Sequence, residues 1–171
     1  LSCNGQYLRP ILPQYAQGKS DDLAYRLARR NAHNADAALS TTLANMLMEP
    51  GHFRKDADMG FRFLVLSHTL LSYLSGLGAH RDTQLPPEVR EQLIEGAGRT
   101  IADSIDLIAQ GLVNRQPVAV QSDDEEALAS ALEQMPDDID ESQRLVQTQL
   151  ALICRQLGPL RTLAAHLIKT P

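Results

Sequence analysis

Seven apolar residues late in the chain, Val146, Leu150, Ile153, Leu157, Leu160, Ala164 and Leu167, follow one another in alternating steps of four and three. Only an α-helix gathers such a series onto one side, and the strict alternation is that of a seam running along a helix bundle. A stripe of this length must be buried against other helices. No segment alternates apolar and polar residues as a half-buried strand would, and no internal repeat is present, so the expected fold is all-α: a bundle of about five or six helices, mainly antiparallel. Gly158-Pro159 falls inside the seam, and because proline cannot donate the helical hydrogen bond a kink or break is expected there.

The other helices are read from the same periodicity. A first helix covers part of residues 2–17, interrupted by Pro10 and Pro13 and closed by Gly18. The second runs from a Ser20 cap, with Asp21 and Asp22 at its positive end, to Pro50-Gly51. Its expected core stripe is Ala24, Ala28, Ala32, Ala35, Leu39, Leu43 and Met46, small residues that allow close approach of a neighbour. Beyond it, Ala37, Ala44, Leu47 and Met48 make the second half apolar nearly all round, so that half is expected to be the more deeply buried.

A third helix, starting near Asp56 or Asp58, presents Met59, Phe63, Leu66, Leu70, Leu74 and Leu77, with Leu64, Val65 and Leu71 widening the stripe, and is expected at the centre. The fourth starts at Pro86-Pro87 and presents Val89, Leu93, Ala97, Ile101, Ile105, Ile108 and Leu112. After a connector at 116–121, Ser122 and Glu125 have the spacing of a capping box ahead of a short fifth helix that ends by Met135-Pro136. The acidic run 137–141 then favours the start of the last helix.

The 171 residues suffice for one well-buried core, and a single domain over 1–171 is expected. With 4% aromatic residues and no Trp, that core is read as Leu, Ile and Ala. A formal net charge of -5 argues against nucleic acid as a partner, since a basic face would be needed to neutralise phosphates. Cys3 and Cys154 are far apart and lack metal-ligand spacing; Cys154, in LALICRQL, reads as a small core residue. The run 63–79, FLVLSHTLLSYLSGLGA, is just too short for a bilayer span and reads as a buried helix. The N-terminus has no signal-peptide pattern, and the chain is expected to be a fragment of a larger protein.

Chemistry is sparse. Opposite the alanine stripe of the second helix stand Arg26, Arg30 and His33, with Arg29 at the margin: three guanidinium groups able to hold a carboxylate or phosphate. The alternative is a solvated face tied by local pairs such as Asp22 with Arg26, or by the acidic clusters 123–126 and 137–141. His33 with Asp36, and Glu49 with His52, are too few to make a metal site, and Pro50-Gly51 separates the second pair. His68 reads as a hydrogen-bonded core or interface histidine, GLGAH at 76–80 as a helix exit, and Asp103 and Asp106 as solvated or arginine-paired. No nucleophile elbow or phosphate loop is present, so no catalytic residue, metal or cofactor is expected, and the chain is read as non-enzymatic.

The segment YRLARRNAHNADAALSTTLANMLMEPG, residues 25–51, resembles the signature of the YccS/YhfK branch of the fusaric-acid-resistance and aromatic acid exporter superfamily. The resemblance implies an inner-membrane efflux protein of which this chain is the C-terminal cytoplasmic domain. It further implies the membrane-embedded part of the same protein as a partner; the Arg face adds a small organic anion, and the alanine and heptad stripes a homo-oligomer, as candidate partners. It carries no established substrate residues, so Arg26, Arg29, Arg30 and His33 stand as the candidate anion or partner contact on their own chemistry. The working expectation is a domain for assembly, gating or organic-anion capture; the alternative is a structural oligomerisation module with no ligand.

Overall fold

The computed structural model describes residues 1–18, 22–48 and 54–169, those at 54–57 by their backbone alone. The expected features at Ser20, Asp21, Glu49, Pro50-Gly51 and His52 lie outside the described residues. Every regular element among those described is helical: α1 (Ser2–Ile11), α2 (Gln14–Gln17), α3 (Leu23–Met48), α4 (Arg54–Ala79), α5 (Pro87–Arg90), a π-helical stretch (Glu91–Gly98) continuing into α6 (Arg99–Asn114), α7 (Asp123–Glu133) and α8 (Glu141–Lys169). None of these helices is long and apolar enough to cross a membrane.

The bundle is built outward from α4, α6 and α8, whose Leu70, Leu74, Leu77, Ile101, Ile105, Ile108, Leu150, Ile153 and Leu157 are fully buried. On one side α3 packs against α1 and α4; on the other α7 packs against α8, so that α4 and α8 lie between them. Contacts fix the directions. Tyr25 meets Gly78 and Leu43 meets Gly60, which makes α3 and α4 an antiparallel hairpin. Glu125 bonds Arg161 and the Leu132 carbonyl accepts from Gln147, which makes α7 and α8 another. By contrast α1 runs parallel to α4, with Asn4 bonded to Ser67 and Ile11 beside Gly78.

Several local expectations hold for the reasons given. Pro13 separates α1 from α2, and Gly18 closes the segment with φ 83°. The Ser122 hydroxyl accepts the Glu125 N–H at 3.4 Å, and α7 ends at Glu133. The α8 seam is buried from Val146 to Ala164, while Leu167 is only half-buried. Cys154 is buried and donates to the Glu125 carbonyl at 3.4 Å.

Other expectations are corrected. The last helix does not break at Pro159: it runs on to Lys169, with Gly158 and Pro159 both on its exposed side, away from the packed seam. The second half of α3 is not the deeper half: Leu43 is buried, but Leu47 is exposed and Met48 is 87% exposed. Beyond the bundle its neighbour is the first half of α4, and one helix can cover only one stripe of another, so Phe61 and Val65 are exposed there too. Ala24 and Ala35 drop out of the α3 stripe for the same geometric reason, and buried Tyr25 enters it beside Ala28 and Ala32. The core is therefore not Leu, Ile and Ala alone, since Tyr7, Tyr15 and Tyr25 are all buried in it.

The π-helical stretch was not expected, yet it accounts for an oddity of spacing. Val89, Leu93, Ala97, Ile101 and Ile105 are separated by four successive steps of four. On an α-helix each such step overshoots a full turn by about 40°, which would carry the stripe off the core. The wider i to i+5 turn over Glu91–Gly98 rotates it back, and Leu93, Ala97, Ile101 and Ile105 are all buried.

Candidate functional site

Arg26, Arg29, Arg30 and His33 are exposed on the outward side of α3 and together line one shallow depression of about 300 Å³. The helix places them there by its own pitch: Arg26, Arg30 and His33 form one row, and Arg29 stands at the edge nearest α1. His33 leans on the Tyr7 ring, centroid to centroid 6.4 Å. The one carboxylate on α3, Asp36, turns away to α4, where its Oδ2 lies 2.8 Å from His68 Nδ1. His68 is thus hydrogen-bonded as expected but stands at the surface rather than in the core. Asp22, just before α3, accepts the Ala24 N–H at 2.9 Å and so caps the helix. Among the described residues, neither Arg29 nor Arg30 pairs with a carboxylate, and no group of three or more metal-ligating side chains occurs.

The orientation of this face is set from below by a cluster the sequence did not announce. Arg81 lies 4.0 Å above the Tyr25 ring and donates to the Gly78 carbonyl at 2.7 Å and to Gln14 Oε1 at 2.8 Å. The Tyr7 and Tyr25 hydroxyls stand 3.4 Å apart, and the Tyr15 hydroxyl donates to the Leu77 carbonyl at 2.6 Å. Burial pushes the Tyr7 and Tyr15 phenols well above their ordinary value, so both remain neutral donors. Gly78 is more than part of a helix exit: a Cβ there would come within 3.1 to 3.3 Å of the Tyr7 and Tyr25 hydroxyls and Ile11. The available signal was the step of three and then four from Tyr25 to Ala28 and Ala32, which puts the ring on the core stripe.

A second polar site lies between α7 and α8. Arg161, buried, donates from Nε and Nη2 to both carboxylate oxygens of buried Glu125 at 2.7 and 2.6 Å. Burial alone would raise the Glu125 carboxyl; hydrogen bonds from Arg161 and Ser104 reverse this and hold it below its usual range. Glu125 therefore does not fold back to complete the capping box. Nearby, Arg155 joins Glu133 and Glu126 across an open cleft of about 420 Å³. Cys154 also borders that cleft, but burial pushes its thiol up to about 12, which suits a packing residue. Between α1 and α6, Arg9 binds Asp103 at 2.9 Å and Asp106 at 3.0 Å, as one of the expected alternatives for those aspartates.

The comparisons with known proteins bear on the whole bundle. The inner membrane protein YccS of Escherichia coli K12 is 36% identical over 171 residues, which cover 98% of this chain and 22% of that protein. The chain belongs to the YccS family. An uncharacterized protein of Haemophilus influenzae is 41% identical over 128 residues, covering 71% of this chain and 18% of its own length. The uncharacterized protein ORF2 of Neisseria gonorrhoeae is 37% identical over 76 residues, 44% of this chain. This YccS-family chain spans about a fifth of the length of the curated relatives it matches. No family model and no solved structure matches it.

Proposed function

We propose that this chain is the cytoplasmic helical domain following the membrane-embedded part of an inner-membrane efflux protein, and that it is not an enzyme. Its role in this reading is assembly with the membrane part, gating, or capture of an organic anion on the α3 face. The observation that carries the reading is that face itself: Arg26, Arg29, Arg30 and His33 share one exposed depression, and the only carboxylate of the helix is turned away from it. Kinship with an inner membrane protein supports the placement.

The test is export of an aromatic carboxylate by cells carrying the full-length protein with Arg26, Arg29 and Arg30 replaced by Gln. Export falls, at unchanged protein level in the membrane, if the face takes part in transport. Normal export rejects that role.

A structural oligomerisation module is the second reading. It is favoured by the exposed Leu47, Met48 and Phe61 at the hairpin tip and by an apolar groove of about 740 Å³ where α4 meets α8. Sedimentation of the chain across a concentration series decides it: a monomer at every concentration rejects self-association.

A further inference from the structure

We infer that the first half of α3 is a docking surface for the anionic phospholipid headgroups of a membrane. The inference rests on the reading that the arginine face is this domain's contact with an anion, and it names that anion.

Two rows of side chains run along the exposed side of α3 and share Arg30. Arg26, Arg30 and His33 form the basic row; Leu23, Leu27 and Arg30 form the other, with Leu23 69% and Leu27 44% exposed. A soluble carboxylate or phosphate would engage the guanidinium groups and leave the leucines in water. A lipid surface uses both, since arginine binds phosphate at the headgroup level while leucine enters the acyl boundary beneath it.

The charge distribution gives the contact a direction. The exposed carboxylates Asp123, Asp124 and Glu126 belong to α7, which has no basic residue and lies across the bundle from α3, with α4 and α8 between. In a chain of net charge -5, an anionic surface therefore attracts one edge and repels the other. Asp36, the carboxylate of α3 itself, is engaged with His68 on α4. The inner membrane placement of the Escherichia coli relative supplies such a surface close by.

The experiment is co-sedimentation of the 171-residue chain with phosphatidylglycerol or phosphatidylcholine vesicles at low and high salt. The expected result is binding to phosphatidylglycerol that salt reverses, about fivefold weaker for each arginine removed in Arg26→Gln and Arg30→Gln. Leu23→Ser with Leu27→Ser weakens it as well, whereas Arg99→Gln, on α6, leaves it unchanged. Circular dichroism verifies that each variant keeps its helices. Equal binding to both lipids, or undiminished binding after the arginine substitutions, overturns the inference. So does salt-sensitive self-association without vesicle binding, which would assign the face to the acidic α7 of a second copy. Saturable binding of benzoate without vesicle binding overturns it too, while leaving the proposed anion capture intact.

Discussion

Arg161 and Glu125 meet in a doubly hydrogen-bonded pair that is sealed between α8 and α7, with each side chain less than a tenth exposed. Desolvating two charges is costly, so the pair holds only because both carboxylate oxygens are occupied and the guanidinium also reaches the Ala119 carbonyl at 3.4 Å. It ties the last helix to the connector ahead of α7 as well as to α7 itself.

Removing one partner leaves the other charge buried alone. Arg161→Met is expected to cost about 3–5 kcal/mol in urea unfolding, whereas Arg161→Met combined with Glu125→Leu recovers most of that loss. The pH dependence has a definite sign. Glu125 titrates below its usual range in the folded state, so its stabilising contribution is present above the unfolded value near ~4.3 and is lost as pH falls through the folded one. Stability of the wild type should drop below about pH 4, and Glu125→Gln should flatten that part of the profile.

Pro159 interrupts the hydrogen bonding of a helix that nonetheless continues for another ten residues. Relative to alanine, an interior proline costs a helix about 3 kcal/mol, of which up to ~1 kcal/mol is offset by a stiffer unfolded chain. Pro159→Ala should therefore raise stability by about 2 kcal/mol in thermal or urea unfolding. A loss of stability would mean that the ring has a packing role that exposure conceals.

Phe61 and Leu74 lie on the same helix, one beyond the bundle and the other inside it. Leu74→Ala should cost about 2–5 kcal/mol, from lost transfer energy and the cavity left behind. Phe61→Ser should change stability by less than ~1 kcal/mol, because water already reaches that ring. The two variants, compared in one denaturation series, test whether the hairpin tip contributes to the fold.

Much of the bundle was legible because its signals are local. The α8 seam, the proline start of α5, the Ser122 cap and the Pro13 and Gly18 breaks depend on steps of three and four or on the backbone of one residue. The failures at the end of α3 and at Glu125 are of another kind. The Leu and Met residues at the end of α3 read as core because apolarity shows that a residue can be buried, not that a neighbour is there to bury it. Glu125 read as a cap because its spacing from Ser122 was visible, whereas Arg161 stands 36 residues away.

For the candidate site, the sequence located Arg26, Arg29, Arg30 and His33 on one side of a helix, and the structure places them around one depression. It did not indicate the support beneath them, since Tyr7, Gln14, Tyr25 and Arg81 come from four separated segments. Helix existence, facing and the basic row followed from the sequence alone, because they depend on pitch and charge within a few turns. Only the tertiary structure decided that α3 lies at an edge, that its far end passes the bundle and that Glu125 pairs inward. Those outcomes depend on which helices meet across the fold, where burial and desolvation outweigh local preference.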